Sequence, residues 1–356
     1  MRATLFLSLL MIVAACSGGD SESTPTDGSG AETEQTAENS NDEPQSASIG
    51  DGTRIFVVSG PGDSISLIDI ENETEEVFFA GDELLHNLVL IGDSLWFGSG
   101  ENALVRVDAM TGEETGRTEI PGRFEGEIDI LDDAVWIVAG SIGISTQLVG
   151  IDTNTMAIVG EVSPPQGSFF SLVAAVGGEV WVFGGDPELL STVSTVDPTS
   201  FEQGLPVDTR VLADSMVAVG DILWVGGTIG AFANESGVPT SGVARVDTTS
   251  GQVDRFEMSP NPDNWVEAKS AFGSLWLTLG LDAELVKVDS VTGAETDRVS
   301  VGSGAAGIPY PMQVADGQIW VFNDTDDEMP AFDPETLELI TGINVPPFSA
   351  APVFAP

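Results

Sequence analysis

One phrase recurs along this chain: an apolar strand, a Gly/Asp turn, then a short strand carrying a tryptophan. It reads LVLIGDSLWF at 88–97, IDILDDAVWI at 128–137 and VAAVGGEVWV at 173–182. It returns as MVAVGDILWV at 216–225, KSAFGSLWL at 269–277 and MQVADGQIWV at 312–321. The tryptophans are Trp96, Trp136, Trp181, Trp224, Trp276 and Trp320. Each phrase is followed by a second strand ending in aspartate, at Asp108, Asp152, Asp197, Asp247, Asp289 and Asp333. A partial unit comes first: RIFVVS at 54–59 puts Phe56 in the tryptophan position, and SISLID ends at Asp69. Phe56 to Trp320 is 264 residues over six steps, a mean of 44. A period of 40–45 residues with about four short strands per unit is the signature of β-propeller blades.

The first unit lacks the innermost strand that should precede Phe56. The apolar chain end at 348–356 (FSAAPVFAP) has the length to fill that slot and remove an open sheet edge. The sequence therefore predicts an all-β chain: a seven-bladed β-propeller whose first blade is closed by N- and C-terminal strands. The repeated aspartates open tight turns by accepting backbone N–H bonds. Gly112, Gly251 and Gly293 then supply a left-handed residue. The repeated tryptophans are expected in blade cores. The loop at 226–242 (GGTIGAFANESGVPTSG) is the longest expected within a blade and explains the 52-residue step from Trp224 to Trp276.

The unit V-x-x-G-D-x-L-W-V, followed by L-V-R-V-D-x-x-T-G, resembles the propellers grouped with virginiamycin B lyase and the YVTN-repeat proteins. It is more distantly similar to the quinoprotein repeats. The resemblance covers about residues 54–356 and implies a fold rather than a chemistry. Those lyases use a histidine base with a bound magnesium ion, whereas this chain has one histidine, His86. Quinoprotein dehydrogenases stack a cofactor on tryptophan beside a calcium ion, and no block here matches those positions. No cofactor is therefore expected.

Charge narrows the partners. Asp and Glu number 57 against 11 Lys and Arg, a net of −46. Such a surface repels phosphate backbones, so no nucleic-acid partner is expected. Residues 1–16 read as a lipoprotein signal peptide: Arg2, a short apolar stretch, then Val13-Ala14-Ala15-Cys16 as a lipobox. Cys16, the only cysteine, is the expected lipidation site, carrying acyl chains such as palmitate into the lipid bilayer. That places the protein on the cell membrane, lipid-anchored, on the extracytoplasmic side. Residues 17–50 hold eight acids and no Lys or Arg, the composition of a disordered acidic linker. The propeller is expected over 51–356.

Propeller ligands meet the loops that enter each innermost strand. Ten to twelve residues before each tryptophan lie His86, Phe124 with Glu125, Phe169 with Phe170, Asp214, Asn264 with Trp265, and Tyr310. Arg210 lies slightly upstream of its tryptophan's set and Lys269 slightly downstream. The only His, the only Tyr and the only tryptophan outside the repeat all fall here. One reading is an aromatic, mixed-charge mouth that binds a small ligand or an envelope protein. Another is that these aromatics plug the axis and cap the blades. The alternative function is a metal-assisted lyase or hydrolase, with Glu125 and Asp214 beside His86. Separately, Asn323, Asp324, Asp326, Asp327 and Glu328 in one short loop are oxygen donors suited to Ca²⁺, or a solvated acidic loop.

Overall fold

The computed structural model describes residues 54–58, 62–69, 72, 74–141, 145–185, 191–230, 238–302, 312–322, 328–344 and 353–354. Among these residues there are 28 strands and no helix. They form seven four-stranded antiparallel sheets, six of them built from four consecutive strands and one that takes the chain's last strand beside its first three. The molecule is a seven-bladed β-propeller. The innermost strands of blades 2 to 7 are Leu85–Ile91, Phe124–Leu131, Phe169–Val176, Val211–Val219, Val266–Ala271 and Met312–Ala315. Blade 1 takes Val353–Phe354, paired antiparallel to Arg54–Val58 with Ile55 opposite Phe354 and Phe56 opposite Val353. Each innermost strand touches the next, and Met312–Ala315 touches Val353–Phe354 to close the ring. The chain end thus fills the slot that the incomplete first unit left open.

Burial follows strand position. The second and third strands of each blade are largely buried, whereas outer strands such as Thr74–Ala80 and Glu114–Glu119 are mostly exposed. The six repeated tryptophans and Phe56 are all buried, at no more than 4% exposure. They sit in apolar clusters between blades. One joins blades 7 and 1 through Ile55, Val57, Trp320, Met329 and Phe354.

The repeated aspartates form the expected turns. Asp108 Oδ1 accepts from the Met110 and Thr111 amides at 2.9 and 2.8 Å, and Asp289 does the same with Val291 and Thr292. Gly112, Gly251 and Gly293 have φ of 73°, 69° and 74°. In blades 3, 4 and 7 that left-handed position is held by Met156, Phe201 and Leu337, at φ 60°, 59° and 55°. A bulky residue there is strained by about 1–2 kcal/mol, so burial must offset it. Met156 packs over Gly116 and Phe201 over Gly160 of the preceding blade. Where the turn has Gly293 instead, the ring of Phe256 in the preceding blade occupies the space. The junctions are matched in size: a large group from one side meets glycine on the other.

This fit makes a prediction. A Cβ on Gly160 would stand 1.9 Å from Phe201 Cε1. Gly160→Ala should cost roughly 1–3 kcal/mol, as overpacking does. Combined with Phe201→Ala it should cost less than the two single changes together, because the clash is gone. Denaturant unfolding of the three variants measures this, and strictly additive costs would show that the two residues do not compete for space.

The few cations also serve the junctions. Arg106 lies over Trp96 at 5.6 Å and its Nη1 donates to the Thr153 carbonyl of blade 3. Lys287 repeats this, 5.2 Å over Trp276 and 2.6 Å from the Pro334 carbonyl of blade 7. Arg298 Nη2 reaches back from blade 6 to the Met258 carbonyl of blade 5 at 2.8 Å.

The loop expected at 226–242 is shorter than its sequence suggested. Strands Ile222–Ile229 and Thr240–Asp247 extend into it, pairing Gly226 with Val243 and Ile229 with Thr240. Residues 230–239 connect them, with 231–237 outside the described residues.

Candidate functional site

Every blade repeats one meander, so the innermost strands share one direction and their N-terminal ends lie on one face. Most of the described candidate residues sit at those ends, while Asp214 and Lys269 are each the fourth residue of their strand. His86 is the second residue of its strand; Phe124 and Phe169 are each the first; Arg210 and Trp265 immediately precede theirs. Cys16, Tyr310, Asn323, Asp324, Asp326 and Asp327 lie outside the described residues, as do the side chains of Glu125 and Glu328.

Several of these side chains belong to the blade junctions. Phe124 is 1% exposed and packs in the cluster that joins blades 1, 2 and 3. Phe170 packs between blades 3 and 4, and its amide donates to Thr146 Oγ1 at 2.7 Å. Asn264 is locked in a loop network: its Nδ2 donates to Ser259 Oγ at 2.8 Å and to Asp282 Oδ2 at 2.6 Å, and its Oδ1 accepts from the Asp282 amide. Phe169, Trp265 and Asp214 are partly buried, and Arg210 is exposed. Arg210 Nε lies 3.4 Å from Asp208 Oδ2.

His86 is buried, with its ring against Gly98, where a Cβ would come within 2.3 Å of Nε2. Burial, reinforced by the Arg123 guanidinium, lowers its pKa to about 4 despite a stabilising contact from Leu84. The ring is therefore neutral at neutral pH and holds a proton weakly. The next residue, Asn87, takes φ 57° at a register shift and donates from Nδ2 to the Phe124 carbonyl at 2.8 Å.

The most unusual chemistry on these strands lies in three carboxylates, two of them buried and Asp214 partly so. Asp129 Oδ2 accepts from the Ala175 amide of blade 4 at 2.7 Å. Asp214 Oδ2 accepts from the Val266 amide of blade 6 at 3.1 Å. Glu267 Oε1 accepts from the Met312 amide of blade 7 at 3.2 Å. Each acid crosses to the innermost strand of the following blade. Burial raises Asp129 to about 6 and Asp214 to about 7, against the lowering effect of those amides. Burial likewise raises Glu267 to about 7, opposed by nearby Lys269, itself 6% exposed. Asp214 comes from the expected set. Asn87, Asp129 and Glu267 do not, and because their strands, LHNLVLI, FEGEIDIL and VEAKSA, carry other polar residues too, nothing local singles them out.

Among the described residues, no three or more His, Cys, Asp or Glu side chains stand together in a group that could hold a metal ion. On blade 4 the same face carries a cleft of about 280 Å³ that includes Phe169 and Phe170 in its lining.

No protein-family model matches the chain, and no curated protein matches it. Solved structures do. Hydrazine synthase from Kuenenia stuttgartiensis aligns with a TM-score of 0.64 at 13% identity, covering 81% of this chain and 94% of that one. BamB from Moraxella catarrhalis aligns with a TM-score of 0.53 at 15% identity, covering 83% and 84%. The computationally designed Ika8 protein gives 0.56 at 15% identity, covering 85% and 91%. At such identities these likenesses speak for the fold alone, a β-propeller.

Proposed function

We propose that this chain is a lipid-anchored, extracytoplasmic β-propeller of the virginiamycin B lyase-like and YVTN-repeat group. In this reading it acts as a binding module for a small ligand or an envelope protein, without catalysis. A propeller fold like that of BamB is compatible with a protein-binding module. One observation carries the reading. Phe169 opens the innermost strand of blade 4, Arg210 and Trp265 directly precede those of blades 5 and 6, and Asp214 follows within the blade 5 strand, which supports reading them as one face. Rigid strand ends bearing aromatic and charged groups of both signs are what a binding face needs. His86 is a poor general base, being buried and weakly basic.

The anchor is tested by fractionation. The wild type should partition with membranes, and Cys16→Ser should release it to the soluble extracytoplasmic fraction. The face is tested by Trp265→Ala. That change should weaken ligand or partner binding at least tenfold with little loss of stability, because Trp265 lies outside the repeated core. A loss of roughly 3–5 kcal/mol in stability, typical of a truncated core aromatic, would assign Trp265 to packing instead.

A further inference from the structure

The cleft on blade 4 differs from the rest of this acidic molecule. It is lined by Ser168, Phe169, Phe170, Thr192, Ser194 and Gln203, with prolines and glycines completing it, and none of its lining side chains is ionisable. It exists because the fourth strand of this blade is reduced to Val207–Asp208. Between Gln203, which bridges to Val196, and that strand the chain passes through Leu205, 90% exposed, and Pro206. The edge of the third strand is nevertheless covered. Val196 bridges to Gln203, the Gly204 amide donates to the Thr195 carbonyl at 2.8 Å, and Val193 pairs with Val207. An extended peptide would find no open ladder to join there.

What remains is a small, uncharged, amphipathic hollow. Gln203 Nε2 donates to Ser194 Oγ at 2.8 Å, so amide and hydroxyl are held in register. Hydroxyls and a carboxamide can both donate and accept, as sugar hydroxyls do. Phe169, partly exposed at one end, can offer its ring to an apolar ring face, while Phe170 packs behind it in the blade junction. The volume is below that of drug-sized pockets, so the ligand is small. A bound anion would meet the field of a chain with net charge −46, and a cation would find no carboxylate in the lining.

We propose that this cleft is a subsite for a neutral pyranose sugar. The proposal rests on the binding role argued above and places it away from the axis, in blade 4. The test is saturation-transfer NMR on the full chain with glucose, galactose and N-acetylglucosamine, with glucuronate and glucosamine as charged counterparts. At least one neutral sugar should bind in the millimolar range, about −4 kcal/mol. Its charged counterpart should bind at least tenfold more weakly. Gln203→Ala and Phe169→Ala should each weaken binding at least tenfold, and Val77→Ala, an exposed change on the outer strand of blade 1, should leave it unchanged. Should Phe169→Ala fail to fold, the partly exposed Gln203 decides the matter. The proposal is overturned if no neutral sugar binds, if charged sugars bind as well, or if Gln203→Ala binds normally. Its failure leaves the Trp265→Ala result to judge the wider binding role separately.

Discussion

Deleting residues 348–356 should lower the melting temperature by about 10 °C or more and broaden the transition. The described part of that segment, Val353–Phe354, is the innermost strand of blade 1. Both residues are 4% exposed. Burying a Val or Phe contributes about 1.5–3 kcal/mol each, and the Phe354 ring adds a tilted contact with Trp320 at 5.1 Å, worth about 0.5–1.5 kcal/mol more. Removing them also uncovers the Ile55 and Phe56 backbone and opens the seam between blades 7 and 1. Several kcal/mol is a large share of the roughly 5–15 kcal/mol by which domains are stable, and each kcal/mol moves the midpoint of a large domain by about 2–4 °C. Phe354→Ala alone should reproduce part of the loss. Differential scanning calorimetry on both variants measures it, and an unchanged midpoint for the truncation would make the chain end a free tail.

The closure was legible because a missing strand and a spare apolar segment are both counted along the chain. The blades were legible for a similar reason: each tryptophan and each turn-forming aspartate is a local signal, repeated. What escaped the sequence depends on neighbouring blades. Met156, Phe201 and Leu337 occupy a position where blades 2, 5 and 6 use glycine, and nothing local explains a bulky left-handed residue. The explanation for two of them lies in the preceding blade, where Gly116 and Gly160 make room. The candidate face was legible as a place but not in its detail. Counting back from the tryptophans finds the strand starts, yet cannot tell Phe124, which packs inward, from Trp265, which is only partly buried. Register shifts, such as the one between Ala213 and Ser215 that falls on the crossing Asp214, are irregularities of single blades. A repeat period carries no record of them.

The carboxylates that cross between blades should make the propeller most stable in mildly acidic solution, despite its many acids. Asp129, Asp214 and Glu267 have folded-state pKa values raised to about 6, 7 and 7. A raised carboxylate pKa means that the fold favours the protonated form. Stability from these groups is therefore full below the ordinary values near 4, falls as pH rises through about 6–7, and then levels off. The turn aspartates act in the opposite sense. Asp108, Asp152, Asp197, Asp247, Asp289 and Asp333 are held below the ordinary value by hydrogen bonds from the amides and hydroxyls that follow them. Their contribution is present at neutral pH and is lost as pH falls below about 4. The two trends cross, so the optimum lies between about pH 4 and 6, and the body's net negative charge steepens the decline above it. Asp214→Asn isolates the effect, because an amide oxygen can still accept from the Val266 amide at 3.1 Å without carrying charge. At pH 8 the variant should be more stable than the wild type, and at pH 4 no more stable. Chemical denaturation across pH 3–9 gives both curves. A wild-type stability that rises steadily from pH 4 to 8, or an Asp214→Asn variant with an unaltered slope, would mean that the inter-blade carboxylates stay ionised in the fold.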